Sequence, residues 1–326
     1  MVKPLRVAIL FPGQGSQYVG MGKDLAEKHP QAAAAFQKAN DVLGVDLRKI
    51  CFEGPGQNLI LTHNNQPAIL ATSIACWEVF HRQGLSIELV GAAGLSLGEY
   101  TALVAARSLS YDDALKLVRA RGTFMQEACD RVPSAMASVM GLDMERVREL
   151  CRGVAGNGSS MVLDIANVNC PGQIVISGDR DAIREACDRV SKMESARASI
   201  LNVSGAFHSR LMQPAADKLR AVVRDIRFAV PEIPVISNVT GEKIGMGDNI
   251  AELLIRQITS PVLWERCVRF LLSLQPDLFL EMGSGRVLSG LLRKIDRSAK
   301  SFNIEDAESL QRATEQIGLM QSSSRL

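Results

Sequence analysis

Ser96 stands at the centre of a Gly-x-Ser-x-Gly pattern, Gly94-Leu95-Ser96-Leu97-Gly98, which joins a short apolar segment to an Ala- and Leu-rich one. Residues 89–95 predict a buried strand and residues 99–106 predict a helix. Glycines on both sides of the serine allow a sharp turn that exposes the hydroxyl beside the helix amides. The pattern therefore predicts a nucleophile elbow with Ser96 as the nucleophile. The alternative is a plain strand-turn-helix in which the glycines only relieve crowding.

The length of 326 residues predicts two structural units. Residues 1–131 and 204–315 alternate short apolar strands, the last two at 233–238 and 278–282, with amphipathic helices, which is typical of an α/β sandwich. Residues 132–203 instead follow the order strand-helix-strand-strand-helix-strand of a ferredoxin-like βαββαβ unit. We expect this small unit to be inserted into the larger one. A flexible polar tail is expected over residues 316–326.

Charge and composition narrow the classes of function. A net charge of +2 gives no general argument for nucleic-acid binding, and no apolar run approaches the length of a membrane span. The seven cysteines form no C-x-x-C pair, which favours reduced thiols over disulfides or a zinc site. The N-terminus lacks a signal-peptide layout. We therefore expect a soluble, intracellular protein, from which removal of an organelle-targeting peptide would leave no trace.

A serine nucleophile needs a base within hydrogen-bond reach, and histidine has a suitable pKa. Three of the four histidines have structural explanations, namely His29 before a proline, His63 in a predicted polar loop and His81 at a predicted helix end. His208 instead follows a turn of small residues at the junction of the two predicted units, where a cleft forms. His208 is therefore the predicted base.

An oxyanion formed at the attacked carbonyl needs two aligned backbone N–H groups. Leu97, directly after the nucleophile, is expected to supply one of them, and a loop at the end of a neighbouring strand should supply the other. Gly13-Gln14-Gly15 is such a loop. An ordinary strand-end turn would have the same sequence, so both interpretations stay open on this evidence.

Five segments of the chain form an ordered set of motifs. They are FPGQGSQ at 11–17, GLSLGEY at 94–100, GAFHS at 205–209, ISN at 236–238 and RQITSPV at 256–262. Together they closely resemble the malonyl-CoA:acyl carrier protein transacylases of type II fatty-acid synthesis, from about residue 7 to residue 304. The resemblance implies an α/β-hydrolase-like large subdomain with a ferredoxin-like insert, and a Ser-His dyad without a dedicated acid.

The resemblance also implies roles for the residues that match its motifs. Ser96 becomes the nucleophile and His208 the base, and the amides of Gln14 and Leu97 form the oxyanion hole. Leu95 stands where many relatives have histidine, so no polar role is expected of that side chain.

Two further residues take roles from the resemblance. Arg121 matches the arginine that pairs with the malonyl carboxylate, which a guanidinium fork binds through two charge-assisted hydrogen bonds. Its neighbour Arg119 is expected on a solvated face of the same helix. Gln257 matches the residue whose backbone carbonyl orients the histidine.

The reaction so implied moves malonyl from coenzyme A to the phosphopantetheine thiol of an acyl carrier protein through a malonyl-serine ester. We expect a monomer that acts on a coenzyme A thioester, with no metal, no tightly bound cofactor, and no nucleic-acid or membrane partner. For an enzyme that resembles this family we expect a bacterial cytoplasm or, after removal of a transit peptide, a plastid stroma. The alternatives are a serine thioesterase or esterase, a malonyltransferase of a polyketide pathway, and a non-catalytic carrier-binding module. Arg121 and the lack of an obvious third acid weigh against a hydrolase.

A basic cluster lies near the predicted helix at 287–295, and it consists of Arg286, Arg293, Lys294, Arg297 and Lys300. The spacing of Arg293, Arg297 and Lys300 predicts one helical face. This cluster either docks the acidic carrier or is a solvated basic surface.

Overall fold

The computed structural model describes residues 4–156 and 159–323. The strands in chain order are β1 (Leu5–Phe11), β2 (Ile87–Gly94), β3 (Ser134–Met140), β4 (Leu163–Cys170), β5 (Gln173–Asp179), β6 (Arg197–Ile200), β7 (Val235–Ile236), β8 (Leu278–Met282) and β9 (Ser301–Ile304). The helices are α1 (Lys23–Lys28), α2 (Pro30–Leu43), α3 (Leu47–Glu53), α4 (Gly56–Ile60), α5 (Thr62–Phe80), α6 (Gly98–Ala105), α7 (Tyr111–Cys129), α8 (Met144–Ala155), α9 (Arg180–Ser191), α10 (Gln213–Val223), α11 (Ile250–Gln257), α12 (Trp264–Ser273), α13 (Val287–Ile295) and α14 (Ala307–Ser323).

Five strands form a parallel sheet in the order β7-β2-β1-β8-β9. The central strand β1 alternates its side chains between two apolar cores. Val7, Ile9 and Phe11 belong to one core, and Ala8 and Leu10 belong to the other. A parallel sheet is normally covered on both faces, which explains why β1 is a continuous apolar run.

The other four strands form a separate antiparallel sheet in the order β4-β5-β3-β6. Helices α8 and α9 pack on it around a core of their own. In α8 this core takes Val147, Leu150 and Val154, whose spacing places them on one helical face. The predicted α/β class is confirmed, and the antiparallel sheet is separate from the parallel one.

The two sheets meet where β4 lies beside the segment that precedes α12. Val168 N donates to Val262 O at 2.9 Å, and Val262 N donates to Ala166 O at 2.8 Å. These main-chain bonds form a bridge between Asn167 and Val262. The cleft between the two units is therefore fixed on one side by backbone pairing.

Two predicted segments differ in the structure. The strand predicted at 233–238 is reduced to β7, because a turn closed by Gly241 N and Ser237 O follows it directly. The flexible tail predicted at 316–326 is wrong up to residue 323, because α14 continues through it, and residues 324–326 lie outside the described ranges. Leu310, Ala313 and Ile317 are buried at helical spacing, and they hold α14 to the core.

The polar loop predicted around His63 is also wrong, because these residues form the first turn of α5. Pro67 lacks an N–H and cannot donate to the His63 carbonyl four residues earlier. Arg119 supplies the missing donor, since its Nη1 lies 2.9 Å from His63 O and 2.5 Å from Asn64 Oδ1. Arg119 is therefore half-buried and bonded to α5 rather than solvated.

Candidate active site

The elbow is built at the carboxyl ends of β1 and β2. Phe11 pairs with Gly94 at the end of the two strands, and Leu95 N donates to Phe11 O at 3.0 Å. Ser96 then takes a φ of +50°, and α6 begins two residues later. A Cβ at Gly98 would lie 2.1 Å from Phe11 O, so only glycine fits there. The predicted strand, turn and helix around Ser96 are confirmed.

Asn238, which follows β7, holds the strained peptide of Ser96. Its Oδ1 accepts from Ser96 N at 2.7 Å, and its Nδ2 donates to Gly94 O at 2.8 Å. A non-glycine residue with positive φ costs on the order of 1 kcal/mol or more, and it persists where surrounding contacts enforce it. Asn238 supplies such contacts on both sides of the elbow.

His208 lies within reach of the serine, as the sequence predicts. Its Nε2 is 2.8 Å from Ser96 Oγ, and its Nδ1 is 2.8 Å from Gln257 O. A carbonyl oxygen can only accept, so Nδ1 carries the proton and Nε2 is free to accept from the hydroxyl. The partner of Nδ1 is thus a backbone carbonyl in the position where a Ser-His-Asp triad has a carboxylate.

The environment keeps the imidazole neutral. Burial and, to a smaller extent, the positive charge of Arg121 lower the pKa of His208 to about 4. Hydrogen bonds to the backbone at Gln257 and Ser260 act in the opposite direction. At neutral pH the ring is therefore in the form that can take up a proton.

Arg121 brings a buried cation to the same hydroxyl. Its Nη2 donates to Ser96 Oγ at 2.9 Å and to Gln257 Oε1 at 3.0 Å, and its Nη1 donates to Gln66 Oε1 at 2.8 Å. The guanidinium also lies 5.4 Å from the centre of the Tyr100 ring. Within the described ranges, Arg121 forms no salt bridge. A buried cation without a paired carboxylate is suited to bind an anion.

Two backbone N–H groups next to the serine are free. Neither Gln14 N nor Leu97 N donates to another group in the part of the chain that the structure describes. Both residues line the cavity that contains Ser96. An oxygen atom in that cavity could accept from them.

The cavity has a volume of about 180 Å³ and lies between the two units. Its wall is mainly apolar on the side of the antiparallel sheet and polar around Ser96. The residues that line it are Gln14, Leu95, Ser96, Leu97, Arg121, Met125, Met136, Asn167, Asn169, Val175, Leu201, Val203, Phe207 and His208. Leu95 also packs against the second core of the parallel sheet, which fits an apolar side chain.

Gln257 contributes its side chain as well as the predicted backbone carbonyl. Its Nε2 donates to Ser96 O at 3.0 Å and to Glu99 Oε2 at 2.6 Å. Glu99 Oε2 also accepts from Asn238 N at 3.2 Å. Burial raises the pKa of Glu99 to about 7, against the lowering effect of these hydrogen bonds.

Sequence reasoning assigned no role to Gln66, Glu99 or Asn238. Glu99 and Asn238 lie within motifs already noted, but only the fold shows what they contact. The positions of Ser96, His208, Arg121 and Gln257 beside one another agree with the prediction.

The basic cluster differs from its prediction. α13 ends at Ile295, and Asp296 is extended, so Arg297 and Lys300 do not share a helical face with Arg293. Arg286 lies 3.5 Å from Glu305, and Lys294 Nζ donates to Gln173 Oε1 at 3.0 Å.

The described ranges contain neither a metal-binding cluster nor a membrane-spanning helix. No group of three or more His, Cys, Asp or Glu side chains there is arranged to hold a metal. Among the helices of those ranges, none has the length and apolar character to cross a membrane.

Comparison with known proteins gives a consistent picture. The family model described as "Acyl transferase domain" matches residues 9–322. The chain is 42% identical over 312 residues to the malonyl CoA-acyl carrier protein transacylase of Bacillus subtilis, covering 96% of this chain and 97% of that protein. It is 39% identical over 288 residues to the enzyme of that name from Escherichia coli strain K12, covering 88% and 92%.

Solved structures agree with this result. The malonyl CoA-acyl carrier protein transacylase from Clostridium perfringens superposes with a TM-score of 0.93 at 35% identity, covering 98% of this chain and 100% of the other. A malonyl-transacylase in complex with its type II PKS acyl-carrier protein gives a TM-score of 0.89 at 39% identity, covering 95% and 99%. From these matches, the chain belongs to the acyl transferase domain family and, within it, to the malonyl CoA-acyl carrier protein transacylases.

Proposed function

We propose that this protein transfers the malonyl group from malonyl-CoA to the phosphopantetheine thiol of an acyl carrier protein through an ester on Ser96. One observation carries the proposal. A neutral imidazole and a buried guanidinium without a salt bridge both contact the Ser96 hydroxyl, at 2.8 Å and 2.9 Å. A base activates the hydroxyl, and the cation selects an acyl group that ends in a carboxylate.

In the first half-reaction, Ser96 Oγ attacks the thioester carbonyl while His208 Nε2 takes the hydroxyl proton. The N–H groups of Gln14 and Leu97 donate to the oxyanion, and Arg121 binds the malonyl carboxylate. The carbon–sulfur bond then breaks, and His208 returns the proton to the sulfur of coenzyme A. The product is a malonyl ester of Ser96.

The second half-reaction reverses the roles. His208 takes the proton of the carrier thiol, whose sulfur attacks the ester carbonyl. The carbon–oxygen bond breaks, and His208 returns the proton to Ser96 Oγ. The backbone carbonyl of Gln257 keeps the ring in one tautomer throughout, since it binds the Nδ1 proton.

We also propose that the larger unit is α/β-hydrolase-like and that residues 132–203 form a ferredoxin-like insert. The strand-turn-helix elbow and the antiparallel order β4-β5-β3-β6 with two helices support this description.

The chain itself supplies a nucleophile, a base, an oxyanion hole and a carboxylate-binding cation. The proposed monomer therefore needs no metal or tightly bound cofactor for this chemistry. The compartment stays a prediction from the sequence.

The test of the proposal is the fate of the acyl group. The protein is acylated with radiolabelled malonyl-CoA, freed of excess thioester, and divided among buffer, a holo carrier protein of fatty-acid type and one of polyketide type. We expect rapid transfer to a carrier thiol and slow loss to buffer. If the malonyl group is lost equally fast in buffer, the protein is a thioesterase. If the protein is not acylated at all, it is a non-catalytic carrier-binding module.

A further inference from the structure

Glu99 follows the nucleophile by three residues and is not among the residues that line the cavity. It is the second residue of α6 and is 1% exposed. One oxygen, Oε2, accepts from both Gln257 Nε2 and Asn238 N. The other oxygen, Oε1, has no partner within residues 4–156 and 159–323.

We infer that Glu99 is a positioning residue for substrate selection, because its carboxylate holds the Gln257 carboxamide in the orientation that aims Arg121 at the acyl carboxylate. This inference rests on the proposed function. It assigns Glu99 no contact with substrate.

The Gln257 amide is held in one orientation by the groups at its two ends. Its Nε2 faces two close acceptors, Ser96 O and Glu99 Oε2, and Asn238 Oδ1 lies farther off at 3.5 Å. Its Oε1 faces the donor Arg121 Nη2. Rotation of the amide by half a turn would bring oxygen against oxygen on one side and N–H against N–H on the other. The acceptors beneath the amide therefore decide that its oxygen points to Arg121.

Of the two acceptors, Glu99 makes the closer contact. The Nε2 to Oε2 distance is 2.6 Å, against 3.0 Å to Ser96 O. When the Glu99 carboxyl is ionised, its hydrogen bond to Gln257 is about twice as strong as a neutral one. The same Oε2 is fixed from the side by the backbone of Asn238, so the carboxylate cannot follow a displaced Gln257.

The effect reaches Arg121 because Gln257 Oε1 and Gln66 Oε1 are its two carboxamide acceptors. Gln66 lies on α5 and holds Nη1, whereas Gln257 holds Nη2, the atom that also contacts Ser96 Oγ. Loss of the Gln257 acceptor would leave the reactive end of the guanidinium with fewer constraints. Binding of a carboxylate by a two-pronged fork depends on such orientation.

The burial of Glu99 is itself costly. A carboxyl group with one unpartnered oxygen in a fully enclosed site destabilises the fold relative to an apolar side chain of similar size. The pKa of Glu99, raised by this burial, reflects the same cost. Packing alone therefore does not explain an acidic residue at this position, whereas the hydrogen bonds that it accepts from Gln257 Nε2 and Asn238 N do.

Two conservative variants distinguish the effect of side-chain length at position 99 from the effect of its charge. Glu99→Asp keeps the charge but is one methylene shorter, so it loses the contact with Gln257 Nε2. Glu99→Gln loses the charge but keeps an acceptor oxygen at the position of Oε2. Glu281 offers a matched control, because this other buried carboxylate binds Leu288 N and Ser289 N at the start of α13 instead of any site residue.

The measurement is kcat/KM for acylation by malonyl-CoA and by acetyl-CoA, in the wild type and each variant, and again with Arg121→Ala added. We expect Glu99→Asp to lower malonyl acylation about ten- to a hundred-fold, the usual result of a displacement of about 1 Å in a positioned group. The kcat/KM for acylation by acetyl-CoA should change by less than about three-fold, because acetyl has no carboxylate that Arg121 must bind. Glu99→Gln should retain most of the malonyl preference, and Glu281→Asp should leave the preference unchanged.

In the Arg121→Ala background, Glu99→Asp should have no further malonyl-selective effect, because both act on one contact. Equal losses for the two thioesters, or an undiminished effect of Glu99→Asp without Arg121, would show that Glu99 only supports the fold. The single variant Arg121→Ala keeps the two proposals apart. If it changes both thioesters equally, the proposed function loses its substrate argument; if it is selective and Glu99→Asp is not, only the role of Glu99 fails.

Discussion

Arg121 Nη2 donates a hydrogen bond to Ser96 Oγ at 2.9 Å, so the proposed substrate-binding cation contacts the proposed nucleophile directly. An incoming carboxylate can replace this bond with a charge-assisted pair and leave the hydroxyl to His208. The contact links recognition of the acyl group to activation of the serine.

The first prediction concerns Arg121→Ala. Without the guanidinium, the malonyl carboxylate is desolvated and unpaired, which costs about 2 to 5 kcal/mol for a buried charge pair. Malonyl transfer should fall by roughly thirty-fold to several thousand-fold. Acetyl transfer should stay level or rise, since acetyl has no carboxylate.

Arg121→Lys is the matched variant, and it should recover only part of the malonyl activity because a point charge lacks the two-pronged fork. The measurement is the pair of kcat/KM values for malonyl-CoA and acetyl-CoA. A fall by the same factor for both would contradict the assignment of Arg121.

The second prediction concerns the protonation of His208. Because its pKa is about 4, the His208 imidazole of the folded protein is neutral at pH 6.5. An unfolded histidine, with a pKa of about 6.5, is half protonated at that pH. Between these two values the unfolded state binds more protons, so this residue's contribution to stability falls as pH drops from about 6.5 to 4.

Imidazole NMR shifts in protein with labelled histidine test this directly. The His208 signals, assigned by their absence in His208→Asn, should not titrate between pH 8 and pH 5, and their midpoint should lie at about 4. A His208 midpoint near 6.5 would show that burial does not keep the ring neutral.

The third prediction concerns the elbow. A Cβ at Gly98 would lie 2.1 Å from Phe11 O, a backbone atom of the central strand. Gly98→Ala should therefore destabilise the protein by about 3 kcal/mol, at the upper end of overpacking effects. Gly290→Ala, in α13 with no atom within 4 Å of the added methyl, should be neutral or stabilising by about 0.5 to 1 kcal/mol. Urea unfolding of both variants gives the comparison, and equal stabilities would refute the close packing at the elbow.

The fourth prediction concerns the carrier. Arg293 and Lys294 are the exposed basic residues that α13 itself presents. If they dock an acidic carrier, the double charge reversal to Glu should slow carrier association in a salt-dependent way and leave acylation by malonyl-CoA unchanged. The double variant Lys116→Glu/Lys192→Glu, at two other exposed positions, lowers the net charge by the same amount and serves as the control. A docking role would be ruled out if both half-reactions responded alike.

The elbow could be predicted from the sequence because its signals are local. An apolar run, a glycine-flanked serine and a helix follow one another within about twenty residues. His208 could be predicted because only four histidines were available. The supporting residues could not be predicted, since Asn238 N meets Glu99 Oε2 across 139 residues and Gln257 meets Ser96 O across 161.

The prediction that the basic cluster forms one helical face is wrong for a related reason. Asp296 takes an extended conformation with φ of −144° directly after Ile295, and no glycine or proline marks this end in the sequence. Likewise, α14 continues through a polar segment because a few apolar side chains find partners in the core. Tertiary contacts hold α14 to the core, and after α13 the chain turns toward β8, where Phe279 N donates to Lys300 O at 2.9 Å.

The central claim is that Ser96 carries the malonyl group, and intact-protein mass spectrometry after brief exposure to malonyl-CoA tests it most directly. We predict one malonyl adduct per chain, mapped by peptide sequencing to Ser96, with little adduct from acetyl-CoA. Ser96→Ala should fold normally and remain unlabelled, because a hydroxyl at the elbow contributes little to the core, and His208→Ala should be acylated several orders of magnitude more slowly. A malonyl adduct on another residue, or full labelling of Ser96→Ala, would contradict the account.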